Sequence, residues 1–196
     1  TANLWDAHAM ACIVAAAGQV GSLVVIDEAY QPFSSRTYLD AIRANPVAHA
    51  HVLLMRTLSK FGLAGVRLGY MMGPKALIAQ VDKVRPPYNI SVLNYECALF
   101  ALEHADVFAQ QASELRAQRT RLLTALRAMP GVTAWDSDAN MILIRVHDAQ
   151  NTFDGLKARG VLVKNVSKMH PLLAQCLRLT VGTVDENTRL LTALSE

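Results

Sequence analysis

Apolar residues in the first part of the chain fall into short continuous runs set between helical stretches. Leu23-Val24-Val25-Ile26 runs into Asp27, His51-Val52-Leu53-Leu54-Met55 forms a second run, and Val66 to Met72 a third, bounded by Gly65 and Gly73. Runs of this length predict strands buried on both faces, as in parallel sheets. Residues 3 to 18 are rich in alanine, with Asn3 placed to cap them, which predicts a helix reaching Gly18. This strand–helix–strand order predicts an open α/β sheet over the first 73 residues.

Further on, Pro74 suits the first turn of a helix through Val84, and Pro86-Pro87 breaks the chain. A helix is expected from Ser91 to about His104. A long amphipathic one is expected from Asp106 to Met129, with Phe108, Ala112, Leu115, Leu122, Leu126 and Met129 on one stripe. Pro130-Gly131 stops it. The texture then changes to α+β. Strands are predicted at Val132–Trp135, Met141–Val146, Val161–Lys164 and Cys176–Val181, with a helix at Thr152–Arg159 stopped by Gly160 and a closing helix at Asp185–Leu194. A boundary between the two textures falls at 85 to 110.

Composition narrows the class. Of 196 residues, 52% are hydrophobic and the net charge is only +3, so the chain has the material for a packed core. No basic block or basic–aromatic interleaving marks a nucleic-acid surface. No apolar run reaches the roughly 20 residues that span a bilayer, and the first residues lack the basic start of a signal peptide. Cys12, Cys97 and Cys176 stand far apart, which predicts buried thiols of a reducing compartment rather than a zinc or disulfide framework. His49 and His51 alternate at strand spacing and read as two strand-edge imidazoles rather than a metal pair. A cytoplasmic protein is expected.

Candidate chemistry clusters where strands end, the place where open α/β sheets bind ligands. Asp27-Glu28-Ala29-Tyr30 follows the first run and Arg56-Thr57-Leu58-Ser59-Lys60 follows the second. Gly62-Leu63-Ala64-Gly65-Val66-Arg67-Leu68-Gly69 leads into the third. Taken alone, each fits a capping aspartate, a solvated lysine, a surface arginine or a turn. In this order and spacing they form a set: Lys60 lies thirty-three positions after Asp27, and Arg67 seven after Lys60.

That set resembles the fold-type I pyridoxal-phosphate (PLP) aminotransferases, and among them the histidinol-phosphate aminotransferases. The resemblance covers the chain from Asn3 to its end. It implies that Asp27 bonds the pyridine nitrogen, that Tyr30 bonds the ring hydroxyl and that Lys60 binds the cofactor covalently. Thr57, Ser59 and Arg67 match the phosphate cup, since hydroxyls and a guanidinium suit a phosphate's charge and shape. In Gln175-Cys176-Leu177-Arg178-Leu179-Thr180-Val181-Gly182, Arg178 matches the arginine that grips the substrate's carboxylate or phosphate. Lys164 falls where the histidinol-phosphate enzymes often carry an arginine for the same anion. It keeps the charge and loses the bidentate fork.

The resemblance further implies a domain plan: residues 1–90 from a large PLP-binding domain, 91–110 a connecting helix, 111–196 a small C-terminal domain. The large-domain sheet is expected to be mostly parallel, with this chain holding its last three strands. Thr1 resembles the end of the family's Pro-Asn-Asn-Pro-Thr run, so a longer enzyme is expected, a homodimer using small amino-acid and 2-oxo-acid substrates. The implied reaction is transamination between histidinol phosphate and 2-oxoglutarate in histidine biosynthesis. Aromatic amino-acid transamination, decarboxylation of a phosphorylated amino acid and a PLP-binding regulatory domain stand as alternatives. Leu23 to Glu28 also resembles a Walker B strand, with Asp27 on magnesium and Glu28 as base, although no G-x-x-x-x-G-K-[ST] run accompanies it.

Overall fold

In the computed structural model, which describes residues 2–196, the chain divides into two compact units. One is Trp5–Gln110; the other is Gln111–Glu196 together with the described residues up to Leu4. The division falls inside a single long helix. The expectation for Thr1 lies outside the described residues.

The first unit opens with helix α1, Ala7–Gln19. It begins later than the composition suggested because Asp6, not Asn3, is its cap: the Asp6 side chain accepts from the Ala9 N–H at 2.9 Å. Strands β1 (Val24–Asp27) and β2 (Val52–Thr57) pair in parallel, with helix α2 (Leu39–Ala44) between them in sequence. Val14 of α1, Ile26, Val52 and Leu54 form the buried core of this layer, with Met10, Tyr38, Leu39 and Ile42 packed on it. His51 joins α1 to the sheet: its Nε2 lies 2.9 Å from the Val14 carbonyl. His49 instead meets the Asn45 carbonyl at 2.8 Å, so the two imidazoles serve different local contacts.

The third strand departs from the parallel expectation. Strand β3 is confined to Gly69–Met72 and runs antiparallel to β2. A parallel return needs a helical crossover of a dozen or more residues. Residues 58–68 instead hold two 3-10 turns, Leu58–Lys60 and Ala64–Val66, and fold straight back. Nor is β1 buried on both faces, since Val25 is 52% exposed. Helices α3 (Lys75–Asp82) and α4 (Val92–Glu103) follow. Ser91 caps α4 by accepting from the Asn94 N–H.

Helix α5, Ala105–Ala128, carries the division between units, and Gly131 in a left-handed turn follows it. Ala112, Leu122 and Leu126 of the predicted stripe are buried. The second unit is an antiparallel sheet in the order β4-β5-β7-β6. Its strands are β4 (Thr133–Ala134), β5 (Met141–Arg145), β6 (Lys164–Asn165) and β7 (Cys176–Thr180). Strand side chains alternate between faces. Ile142, Ile144, Leu177 and Leu179 join a core with Leu122 and Leu126 of α5, Leu156 of α6 (Ala149–Ala158) and Leu190 of α7 (Val184–Ser195). Leu143, Val166 and Cys176 form a smaller cluster on the other face.

Two expectations shift here for local reasons. α6 starts at Ala149, not Thr152, because Asp148 accepts from both Gln150 and Asn151 N–H groups at 3.0 Å. Strand β6 is later than the apolar run Val161–Lys164, because Val161 and Val163 pack against the main core instead. Cys176 is buried as expected, whereas Cys12 and Cys97 are exposed, on helices whose apolar side chains also point outward. Among the described residues no helix is long and apolar enough to cross a membrane, and no cluster of three His, Cys, Asp or Glu could hold a metal.

Candidate functional site

The parallel pairing of β1 and β2 brings their C-terminal ends side by side, with Asp27 in register with Met55. From each end a closed loop emerges. Asp27 is exposed and turns its carboxylate back to accept from the Ala29 N–H at 2.9 Å, which bends the chain into the Tyr30 turn. Tyr30 then precedes a short 3-10 turn, Gln31–Phe33, anchored by buried Phe33.

The second loop is drawn shut at its neck. The Leu58 N–H donates to the Leu68 carbonyl at 2.9 Å, and the Thr57 hydroxyl donates to the same carbonyl at 3.2 Å. Thr57 also accepts from the Ser59 N–H at 3.1 Å, starting the 3-10 turn that carries Ser59 and Lys60. At the far side Arg67 takes a left-handed conformation, φ 56° and ψ 34°. A non-glycine residue holds this region only at a cost, and such strain gathers at functional sites. Here it places the guanidinium on Ser59, with Nη1 donating to the Ser59 hydroxyl at 3.4 Å and to the Ala64 carbonyl at 3.3 Å.

Lys60 joins the two loops. Its Nζ stands 5.3 Å from the centroid of the Tyr30 ring, within cation–π range, and makes no ion pair among the described residues. The next two residues seat this loop. Phe61 packs on Phe108 with ring centroids 4.8 Å apart, and Gly62, at φ +127°, leaves room for that ring.

Of the residues predicted from sequence, the first unit holds Asp27 and Thr57 as the last residues of β1 and β2, and Tyr30, Ser59, Lys60 and Arg67 on the loops that follow them. Direct contacts join Tyr30 to Lys60, Thr57 to Ser59 and Ser59 to Arg67. Arg178 and Lys164 lie in the second unit, directly opposite each other on β7 and β6. Arg178 is partly buried and Lys164 exposed, and neither has a side-chain hydrogen bond or ion pair among the described residues. By strand alternation both stand on the sheet face that also holds Leu143, Val166 and Cys176, away from the helix-covered core.

The motif reading passed over Arg56, Glu28 and Thr37 as a unit. Arg56 Nη2 and the Glu28 carboxylate form an ion pair at 2.9 Å, both largely buried. This pairing also takes Glu28 out of the Walker-type role of a free base. The Asp27–Met55 register puts Glu28 and Arg56 on the strand face opposite to Asp27 and Thr57, a placement that exists only once the strands pair.

This first-unit set combines an amine free of ion pairs, a carboxylate, a phenol and a hydroxyl–guanidinium group. Such a set can bind an aldehyde covalently, hold a cationic ring nitrogen and grip a phosphate. Residues 1–194 match the profile of the family "Aminotransferase class I and II". The chain is 70% identical over 194 residues to a histidinol-phosphate aminotransferase of Polaromonas naphthalenivorans (strain CJ2), covering 99% of this chain and 52% of that protein. To the enzyme of the same name from Paracidovorax citrulli (strain AAC00-1) it is 68% identical over 195 residues, 99% of this chain and 53% of that protein. The chain therefore spans about half the length of the curated relatives it matches. Among solved structures, histidinol-phosphate aminotransferase from Sinorhizobium meliloti in complex with pyridoxal-5'-phosphate matches with a TM-score of 0.79 and 25% identity, over 100% of this chain and 53% of that one. With nearly every residue inside the family profile, the chain belongs to the class I and II aminotransferases.

Proposed function

We propose that the protein carrying this chain is a pyridoxal-phosphate-dependent transaminase of histidine biosynthesis, exchanging an amino group between histidinol phosphate and 2-oxoglutarate. The observation that carries the reading is the gathering of Asp27, Tyr30, Thr57, Ser59, Lys60 and Arg67 at the ends of β1 and β2 and on the closed loops that follow them, with the Lys60 ammonium against the Tyr30 ring. The donor set fits the cofactor: two hydroxyls and a guanidinium in contact for a phosphate, a carboxylate for a ring nitrogen, and an amine with no competing ion pair for an aldehyde. The 70% identity to a protein named for this reaction supports the substrate class.

When bound, pyridoxal phosphate supplies an electron sink next to the substrate's reacting carbon. Lys60 Nζ would hold the cofactor and move the proton at that carbon. Asp27 keeps a proton on the ring nitrogen through its carboxylate. The Tyr30 hydroxyl bonds the ring hydroxyl and its ring orients Lys60. Thr57, Ser59 and Arg67 bind the phosphate. Arg178, with Lys164 opposite it, takes the substrate's anion, which is phosphate in one half-reaction and carboxylate in the other.

We place the protein in the cytoplasm as a homodimer. The unbridged, exposed Cys12 and Cys97 support a reducing compartment. The apolar side chains exposed on α4 support a covered interface. Borohydride reduction of the full-length holoprotein tests the central assignment. The label should reside on the peptide containing Lys60 and vanish in Lys60→Ala. Label on another lysine, such as Lys75, would overturn it.

A further inference from the structure

The two strand ends use their opposite faces differently. Asp27, Met55 and Thr57 share one face; Glu28 and Arg56 share the other, above Ile26 and Leu54 of the core. On that second face the Glu28 carboxylate gathers every donor around it. Arg56 donates to Oε2 through Nε at 3.1 Å and Nη2 at 2.9 Å. The Thr37 hydroxyl reaches the two carboxylate oxygens at 2.9 and 2.8 Å, and the Tyr38 N–H donates to Oε1 at 2.5 Å. Arg56 Nη2 also donates to the Thr37 hydroxyl at 2.8 Å.

These bonds join the first and last residues of one segment. The chain leaves the sheet at Glu28, makes the Tyr30 turn and returns at Thr37 and Tyr38, where the Glu28 side chain closes the neck. Arg56 fastens that neck to β2, one residue before Thr57 and the loop bearing Lys60. Side-chain exposure is 16% for Arg56 and 10% for Glu28. A buried ion pair of this kind does little for net stability compared with apolar packing, and its best-attested use is to fix a specific arrangement. What this one fixes is the segment holding Tyr30, whose ring faces Lys60.

We propose that Glu28, Arg56 and Thr37 form a positioning clasp that sets Tyr30 against Lys60. The clasp rests on the assignment of Lys60 as the cofactor-bearing lysine. It contributes through backbone placement, because its groups lie on the face away from Asp27 and Thr57. Opening the neck returns segment 29–36 to a loop whose closure must be made again at an entropic cost.

The test uses the full-length holoprotein and the variants Arg56→Met, Arg56→Lys, Thr37→Val and the double Glu28→Gln/Arg56→Met. Three quantities are read: hydrogen exchange of amides 29–36, the pH midpoint at which bound pyridoxal phosphate changes absorbance, and the melting temperature. In Arg56→Met, exchange over 29–36 should quicken by about tenfold or more, as expected for a local opening, and the absorbance midpoint should move. Arg56→Lys should restore part of both. The double variant, with no stranded charge, should recover melting temperature yet keep the displaced midpoint, which purely structural support would not produce. Should Arg56→Met not fold, Thr37→Val and the double variant decide. Unchanged exchange overturns the clasp, and so does quickened exchange with an unmoved midpoint. If the borohydride label persists in Lys60→Ala, the cofactor assignment fails and exchange alone decides the clasp. Label lost in Lys60→Ala, with wild-type behaviour in the clasp variants, sinks the clasp and leaves that assignment standing.

Discussion

Lys164 on β6 stands directly opposite Arg178 on β7, so two cations face each other across one antiparallel strand pair. Like charges in this position destabilise a sheet. A bound anion between them removes the repulsion, which is the physical basis for reading the pair as a substrate clamp. Lys164→Met should therefore raise the unfolding free energy by about 0.2–1 kcal/mol, measured by denaturant titration. Arg178→Ala should remove about 2–5 kcal/mol of charge-assisted binding from both histidinol phosphate and glutamate, and Lys164→Ala less, because a second cation remains. Intact half-reactions in Arg178→Ala would locate the clamp elsewhere. A wild type that prefers an aromatic amino acid would refute the substrate class.

Asp27→Asn keeps an oxygen that can accept from the Ala29 N–H, so the turn into Tyr30 should survive. What it loses is the charge that, in the proposed role, would hold a proton on the ring nitrogen. The protein should retain much of its cofactor while the proton-transfer steps slow by a factor corresponding to about 3 kcal/mol or more. Single-turnover kinetics measure this directly. Unchanged turnover would exclude Asp27 from the role.

Gly62→Ala meets two obstacles. Its φ of +127° is one that side chains rarely adopt, and a Cβ there would lie 2.7 Å from the Phe108 ring. Strain of this type costs about 1–3 kcal/mol. Adding Phe108→Ala should relieve the collision but not the backbone penalty, so rescue in thermal melting should be partial. Full rescue would show that space alone, not conformation, requires glycine.

Helix α7 begins with a reciprocal cap. Thr183 accepts from the Glu186 N–H, and the Glu186 carboxylate accepts from the Thr183 N–H at 2.8 Å. The Thr183 backbone N–H, followed by its hydroxyl, holds the Glu186 carboxyl below its usual value of 4.5. A folded-state value below the unfolded one means that the contribution is present above the unfolded value and is lost as pH falls through the folded one. Glu186→Gln should therefore melt below wild type at neutral pH, with the difference closing as pH falls below 4.5. A difference that stays constant with pH would rule out the ionised carboxylate as the source.

Helix α4 leaves large apolar side chains uncovered, with Val92, Leu93 and Phe100 exposed at 75%, 76% and 62%. Helices of that character are ordinarily covered. Expressed alone, the 196-residue chain should self-associate and bind pyridoxal phosphate weakly, as sedimentation and equilibrium dialysis would reveal. A monodisperse monomer that takes up the cofactor would contradict this.

Sequence alone was sufficient for β1, β2 and the long helices, because these depend on short-range physics, but not for helix α2, Leu39–Ala44, nor for the predicted strand Val161–Lys164, of which only Lys164 lies in β6. Leu23–Ile26 and His51–Met55 are short apolar runs of strand length, and β1 and β2 form there. The α5 stripe repeats at helical spacing, and the order of Asp27, Tyr30, Lys60 and Arg67 carried the family. Boundaries were less legible, since the helix starts at Ala7 and Ala149 depend on which carboxylate, Asp6 or Asp148, turns back to the N–H groups. The tertiary structure decided what requires residues distant in sequence to meet. It made β3 antiparallel, because residues 58–68 fold into two 3-10 turns rather than a crossover. It set Lys164 against Arg178, since a register is fixed only when two strands pair. It also joined Glu28 to Arg56 across twenty-eight positions, a contact that no local pattern encodes because it exists only once β1 and β2 lie side by side.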